Sequence, residues 1–452
     1  MKNLQAKGVD VLILLFVEVY NAFITHKLYI YAFFALLLWV VWGFKVYYAK
    51  KYKPFKGDYG PTVSVIVPVF QERLDVLREC IKSIKLNNPH EILIVVDERN
   101  KELKYTLKKI FPYVKILIAS AGKRNAIDLG IRMASGEIIA LVSSDTILEK
   151  NAISEIVKPL AQPEIEGVCG KVVANNSDSP YSMVFKWLTD MRNAITYPAL
   201  SVKGSVQVLI GEFYAIRRET YLKLLKRFLN QKFAGKRFDA GDDGWITTLL
   251  LEQGYKTAYQ STAVAKTKAP DKFADFIFQQ LRWGRNSVRR TLYILRQRWC
   301  WTAKRWLYAL HTVTNLIKSP LLIVLLAWAL VGLYPSLVAT PIQRDLWWKF
   351  RALIFLAGVS LTRGVKSIPM KPKIKQLLFL PIYALISLFI MVPLKVVATL
   401  TPWIGTEIRV ENGEKSKGTL IATMLLMFVI GFLPIWAILS LAAVAFSCEG
   451  YA

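Results

Sequence analysis

Acidic residues recur in this chain directly after short apolar runs, where their chemistry is most useful. Pro68-Val69-Phe70-Gln71-Glu72 follows the run Ser64 to Val69. Asp97-Glu98-Arg99 follows Glu91 to Val96, and Ser143-Ser144-Asp145-Thr146 follows Ile138 to Val142. Carboxylates at such positions can hold a cation or accept hydrogen bonds from a ligand. Singly, each also has a plain structural use, because Asp and Ser favour turns and cap the next helix. Gly122-Lys123-Arg124 opens a helical pattern, where two cations and the helix N-terminus suit a diphosphate or a uracil edge. A solvated basic turn is the plain alternative. Gly241-Asp242-Asp243-Gly244 precedes the apolar run Trp245 to Leu251. A carboxylate there can take a proton from a hydroxyl as general base, or simply cap the helix. Gln279-Gln280-Leu281-Arg282-Trp283 lies in a helical pattern that starts after Pro270-Asp271 and runs toward Arg290. Its spacing puts Gln279, Arg282 and Trp283 on one face. Arg pairs bidentately with phosphates and Trp offers a flat apolar platform, although both residues also anchor helices at membrane interfaces.

The elements that must position these residues are legible as an alternation. Runs rich in Val and Ile at Ser64 to Val69, Glu91 to Val96, Val114 to Ile118 and Ile138 to Val142 read as strands covered on both faces. Between them, Arg73 to Lys85 places Leu77, Cys80, Ile81 and Ile84 on one face, and Gly122 to Met133 does the same with Ala126, Leu129, Gly130 and Met133. Strand and helix in alternation predict a mainly parallel sheet flanked by helices. Ligands of such sheets sit beyond the carboxyl ends of the strands, where the polar residues above fall.

Composition adds a membrane to this picture. The chain has 452 residues, of which 54% are hydrophobic. Its apolar stretches lie outside the central part: Leu28 to Phe44, Leu316 to Ala339, Leu377 to Thr399 and Thr419 to Phe446. Val11 to Ile24, interrupted by Glu18, reads as a further membrane or interfacial helix, with no convincing cleavage site to mark it as a signal peptide. The expected division is an anchor region over 1–50, a catalytic domain over 51–290, and interface plus transmembrane helices over 291–452. A net charge of +28, from 60 Lys and Arg against 32 Asp and Glu, is concentrated partly beside the apolar segments, as in Lys45, Lys50, Lys51, Lys53 and Lys56. This placement favours anionic membrane lipids over nucleic acid. With Arg296, Arg298, Lys304 and Arg305 at the other exit, it puts the central domain of a multi-pass cell-membrane protein on the cytoplasmic face. Cys80, Cys169, Cys300 and Cys448 show no paired spacing, so neither disulfides nor a zinc site is expected.

Taken together, the order of these motifs resembles the processive, inverting glycosyltransferases that include hyaluronan, cellulose and chitin synthases. The resemblance covers roughly Pro61 to Arg290. It implies a GT-A-type fold, a UDP-sugar donor, and a glycan acceptor that is extended and exported. By this resemblance Asp97 contacts uridine, and Pro68, Glu72, Lys123 and Arg124 join it in the substrate-binding set. Asp145 holds Mg2+ or Mn2+ on the donor phosphates. Asp243, paired with Asp242, is the general base, Arg282 offsets the leaving diphosphate, Trp283 forms the acceptor floor, and Gln279 belongs to the substrate-binding set. Gly211, in Val208-Leu209-Ile210-Gly211-Glu212, takes the place of an acceptor-site segment of the hyaluronan synthases and keeps only its glycine. Trp403-Ile404-Gly405-Thr406 resembles a loop those synthases place over the donor, so Trp403 and Thr406 join the binding set. One departure is Ser143, which replaces the first acid of the D-x-D metal motif and leaves Asp145 as its charged ligand.

Two other functions fit parts of the pattern. A non-processive enzyme that adds one sugar to a lipid acceptor shares Q-x-x-R-W. A non-catalytic membrane transporter or scaffold would explain Ser143, but not the retention of Asp97, Asp145, Asp243, Arg282 and Trp283. An export channel needs polar residues within the apolar spans, and Thr312, Thr314, Asn315, Ser319 and Ser387 are the candidates.

Overall fold

The computed structural model describes residues 28–238, 240–331, 353 and 356–404. The expected segments Val11 to Ile24 and Thr419 to Phe446, and also Thr406 and Cys448, lie outside them.

Ten strands form within the central part of the chain. They are β1 (Val63–Val69), β2 (Glu91–Asp97), β3 (Lys115–Ala119), β4 (Ile138–Val142), β5 (Thr146–Leu148), β6 (Ile165–Ala174), β7 (Phe213–Arg217), β8 (Lys232–Phe233), β9 (Lys236–Arg237) and β10 (Lys256–Thr267). Eight of them make one sheet in the order β3-β2-β1-β4-β7-β6-β10-β5, and β8 and β9 form a separate hairpin. The parallel sheet expected from the alternation of strands and helices is present in β3, β2, β1 and β4. Beyond β4 the sheet is mixed: β7 runs against both β4 and β6, and β5 runs against β10. The reversed β7 matters for the site. Its pairing sets Phe213 opposite Val142, so the segment entering β7 lies beside the segment leaving β4.

The sheet core is dry because its strands are apolar on both faces. In β1, Val65, Ile66 and Val67 have no exposed surface, and Leu93 to Val96 of β2 are equally enclosed. β3 departs from the expectation of a strand covered on both faces, since as an edge strand it leaves Ile118 exposed. The helix Lys123–Met133 lies against β1 and β2, with Ala126, Ile127 and Ile131 buried. Its start is set by Gly122, whose φ of 113° is open to glycine at little cost.

Long helices attach to this domain. Leu28–Lys51 packs on Trp306–Val331, and Phe273–Leu295 packs along Val392–Leu400. The latter contact is close, since a Cβ on Gly284 would stand 2.8 Å from the Ala398 Cβ. Arg285 Nε fixes the same interface by donating to Thr401 Oγ1 at 3.1 Å. Among the described residues one helix, Leu380–Leu400, is long and apolar enough by length and composition to cross a membrane.

Candidate active site

A cavity of about 1390 Å³ opens at the carboxyl ends of β1, β2 and β4 and continues between the attached helices. Pro68, Glu72, Asp97, Lys123, Asp145, Gly211, Asp242, Asp243, Gln279, Arg282 and Trp283 all line it. Sheet register accounts for this convergence, because parallel neighbours end at one edge and the reversed β7 begins there.

One end of the cavity is built on Asp97, the last residue of β2. Its carboxylate accepts from Arg99 Nε and Nη2, both at 2.9 Å, and from the Gly122 amide at 2.9 Å. The Arg99 guanidinium, followed by the Gly122 and Arg99 amides, outweighs burial and holds the carboxyl down at about 2. The same guanidinium lies over the Phe70 ring at 4.2 Å, forming a flat floor at the cavity wall. Ser144 Oγ donates to Glu72 Oε2 at 3.0 Å and links the segments that follow β1 and β4.

Ser143, in place of the first acid of the metal motif, has a structural partner: its Oγ donates to the Gly211 carbonyl at 2.9 Å. Its amide also donates to the Glu212 carbonyl at 3.1 Å. Asp145 is then the carboxylate of this segment. Among the described residues no group of three or more His, Cys, Asp or Glu is arranged to hold a metal. Such a donor set suits Mg2+ or Mn2+, which take one or two carboxylates and complete their shells with substrate phosphates.

The acidic pair does not sit on a turn ahead of its helix, as the sequence suggests, but forms the first turn of the helix Asp242–Glu252. Gly241 occupies the N-cap position, so neither Asp caps the helix. Lys123 Nζ pairs with Asp242 Oδ2 at 3.0 Å. Asp243 Oδ1 accepts from the Gly244 amide at 2.7 Å and its Oδ2 from the Gly211 amide at 3.2 Å. Burial and then the charge of Asp242 push Asp243 above the ordinary carboxylate range, only partly relieved by Lys123. Burial acts on Asp242 too, but the Lys123 ammonium overcomes it and holds Asp242 low. Enclosure works against the charge of Lys123, and the two carboxylates beside it nevertheless raise its pKa. The two acids are thereby set apart: both line the cavity, but Asp242 is ion-paired and held low, whereas Asp243 is the more basic carboxylate.

Gln279, Arg282 and Trp283 share the cavity face of the helix Phe273–Leu295, and the Trp283 ring lies 5.9 Å from that of Phe185. Two expected positions fall elsewhere. Arg124 is buried away from the cavity, where it donates to the Phe228 carbonyl at 2.7 Å and to Gln231 Oε1. One residue along a helix turns the side chain by about 100°, which separates it from Lys123. Trp403 is 54% exposed and does not line the cavity.

The cavity also contains residues not singled out from sequence. Glu212 lines it, raised above its ordinary value by burial, with Arg192 opposing the shift. Arg290 Nη1 donates to the Gln207 carbonyl at 2.8 Å, and Gln207 Oε1 meets His311 Nε2 at 2.9 Å. Arg290 was readable only as the end of the Q-x-x-R-W helix.

The description "Glycosyltransferase like family 2" fits residues 61–286, half of the chain. The chain belongs to this glycosyltransferase family. Among its relatives in the family, the N-acetylglucosaminyltransferase of Azorhizobium caulinodans is 32% identical over 253 residues, 52% of this chain and 62% of that protein. The hyaluronan synthase of Streptococcus pyogenes is 26% identical over 367 residues, 77% of this chain and 84% of that protein. This chain thus spans less than two thirds of the Azorhizobium relative, and 56% of a Rhizobium one. In fold it is similar to a mannosyltransferase from Pyrobaculum calidifontis solved in complex with GDP-Man and Mn2+. The TM-score is 0.52 at 18% identity, over 79% of this chain and 98% of that one. Membership of the glycosyltransferase family agrees with the resemblance read from the motifs and with the mixed, helix-flanked sheet.

Proposed function

We propose that the protein is a membrane-integrated inverting glycosyltransferase that moves a sugar from a UDP-sugar to a growing glycan and passes the product between its own helices. The supporting observation is the single cavity that joins Asp97, Asp145, Asp243 and Trp283 to the space between the long helices. In this reading 51–290 is the catalytic domain on the cytoplasmic face, flanked by an anchor region over 1–50 and by interface and transmembrane helices over 291–452.

Asp97 and the Phe70-Arg99 floor bind the uracil ring. Asp145 would hold a Mg2+ or Mn2+ ion, which when bound would supply positive charge against the donor diphosphate. Lys123 and Arg282 add positive charge on the same side. An acceptor sugar stacks on Trp283 with Gln279 beside it, and Asp243 takes the proton of its hydroxyl as that oxygen attacks the anomeric carbon and the bond from that carbon to the diphosphate oxygen breaks, releasing UDP. The raised pKa of Asp243 suits a base for so weak an acid. Attack from the face opposite the diphosphate inverts the anomeric centre.

The test is incubation of purified, detergent-solubilised protein with radiolabelled UDP-sugars and Mg2+ or Mn2+, with UDP release measured and products sized. Release that depends on Asp243 and long products support the reading. Short, lipid-extractable products assign a lipid acceptor instead. Absence of turnover with every donor, despite nucleotide binding, makes the protein a non-catalytic one.

A further inference from the structure

The inner limb of the cavity, between the long helices, differs in charge from its mouth. Acidic lining residues, Glu72, Asp97, Asp145, Glu212, Asp242 and Asp243, all belong to the sheet domain. Past Gln207 and His311 the lining instead presents Lys318, Arg363, Lys366 and Lys395, and no acid among the described residues. Lys318 and Lys395 sit within apolar helices, and ionisable groups there are costly unless they serve a path or a ligand.

Local partners do not account for these charges. Lys366 Nζ lies over the Trp39 ring at 4.5 Å, and Arg363 donates to the Tyr383 carbonyl at 3.2 Å and to Ser387 Oγ. Lys318 reaches only Asn315 Oδ1, at 3.5 Å. Among the described residues none of the four is paired with a carboxylate. A water-filled limb for a neutral glycan needs hydroxyls and amides, and Asn315 and Ser319 already supply them. Four basic side chains with no carboxylate beside them exceed that need.

We propose that this limb binds the acidic groups of an anionic glycan, so that the extended acceptor carries carboxylate-bearing sugars. The inference rests on the glycosyltransferase reading above and adds the chemical class of the product. One observation favours a polyanionic chain over the single headgroup of an anionic lipid. The basic lining is spread over three separate segments: Lys318 on Trp306–Val331, Arg363 and Lys366 in the segment that precedes Ile368, and Lys395 on Val392–Leu400.

The test uses the full chain in detergent and compares binding of an oligogalacturonate with that of a neutral chito-oligosaccharide of equal length, at low and high salt. The expected result is at least tenfold tighter binding of the acidic chain, weakened by salt. Lys318→Gln combined with Lys366→Gln is expected to lose this preference tenfold or more. Lys318→Arg, which keeps the charge, is expected to retain it, so that loss of charge is separated from loss of fold. Equal or tighter binding of the neutral chain overturns the proposal. So does displacement by dodecyl phosphate with no binding of the oligogalacturonate, which would assign the limb to a lipid phosphate. UDP release is measured separately: its absence sinks the glycosyltransferase reading, whereas binding without preference sinks only the anionic product.

Discussion

The Gly211 amide donates to Asp243 Oδ2 at 3.2 Å and ties the segment entering β7 to the first turn of the helix that carries the acidic pair. With the Gly244 amide on Oδ1, it fixes both carboxylate oxygens at the cavity wall. As the proposed base, Asp243 acts only when ionised, and burial with the neighbouring Asp242 raises its pKa. Asp243→Asn is expected to lower kcat by about 10²- to 10⁴-fold, the usual contribution of general base catalysis, with UDP affinity retained. Single-turnover kinetics together with UDP titration check both parts. Loss of UDP affinity in step with kcat would point instead to a structural role.

Lys123 connects the two acids electrostatically, since its ammonium offsets the carboxylate charge of both. Lys123→Met removes that charge, so both carboxyls become harder to ionise. Because the base must be deprotonated, activity falls as pH drops through its pKa. A higher pKa therefore moves the acidic limb of the kcat/KM profile to higher pH. An unmoved limb in the variant would show that Lys123 does not set the ionisation of the base.

Contact between the catalytic and apolar helices depends on Gly284, where a Cβ would meet that of Ala398 at 2.8 Å. Gly284→Val is expected to cost about 1–3 kcal/mol, the range for overpacked interiors, read as a lowered unfolding midpoint. Ala398→Gly in the same chain should recover part of the loss, because the two residues share one contact. Additive losses would place the strain elsewhere.

Much of the site was legible because a strand-helix alternation fixes where strands end. Asp97, Lys123, Asp145 and Asp243 meet for that reason, far apart though they are in sequence. The reversal at β7 was not legible: Phe213–Arg217 is a short apolar strand whose composition carries no direction. Arg124 misled because adjacency to Lys123 in sequence is not adjacency on a helix face. In the apolar helices, hydroxyls are poor guides to a polar path. Thr312 and Thr314 donate to the carbonyls of Tyr308 and Leu310, both at 2.8 Å, while Asn315, Ser319 and Ser387 face the cavity. Lys318 and Lys395 were the stronger signals, since a hydroxyl can be satisfied within its own helix and an ammonium cannot.

Ser143 is the position where this chain departs from the acid-rich metal motif, and its hydroxyl is a donor to the Gly211 carbonyl at 2.9 Å. Asp at this position is an acceptor only, so Ser143→Asp would set a carboxylate against a carbonyl oxygen rather than add a useful ligand. The bond from the hydroxyl would be lost, and Gly211 would shift away from Asp243. We therefore expect Ser143→Asp to reduce kcat at saturating Mg2+ or Mn2+ instead of restoring a stronger metal site. Ser143→Ala should have the milder effect, since it removes the bond without the repulsion. Activity of both variants, measured across a metal titration that begins from chelator-treated protein, decides the matter. A gain in metal affinity with full turnover in Ser143→Asp would mean that the serine is a lost ligand and not a bridge to the Gly211 segment.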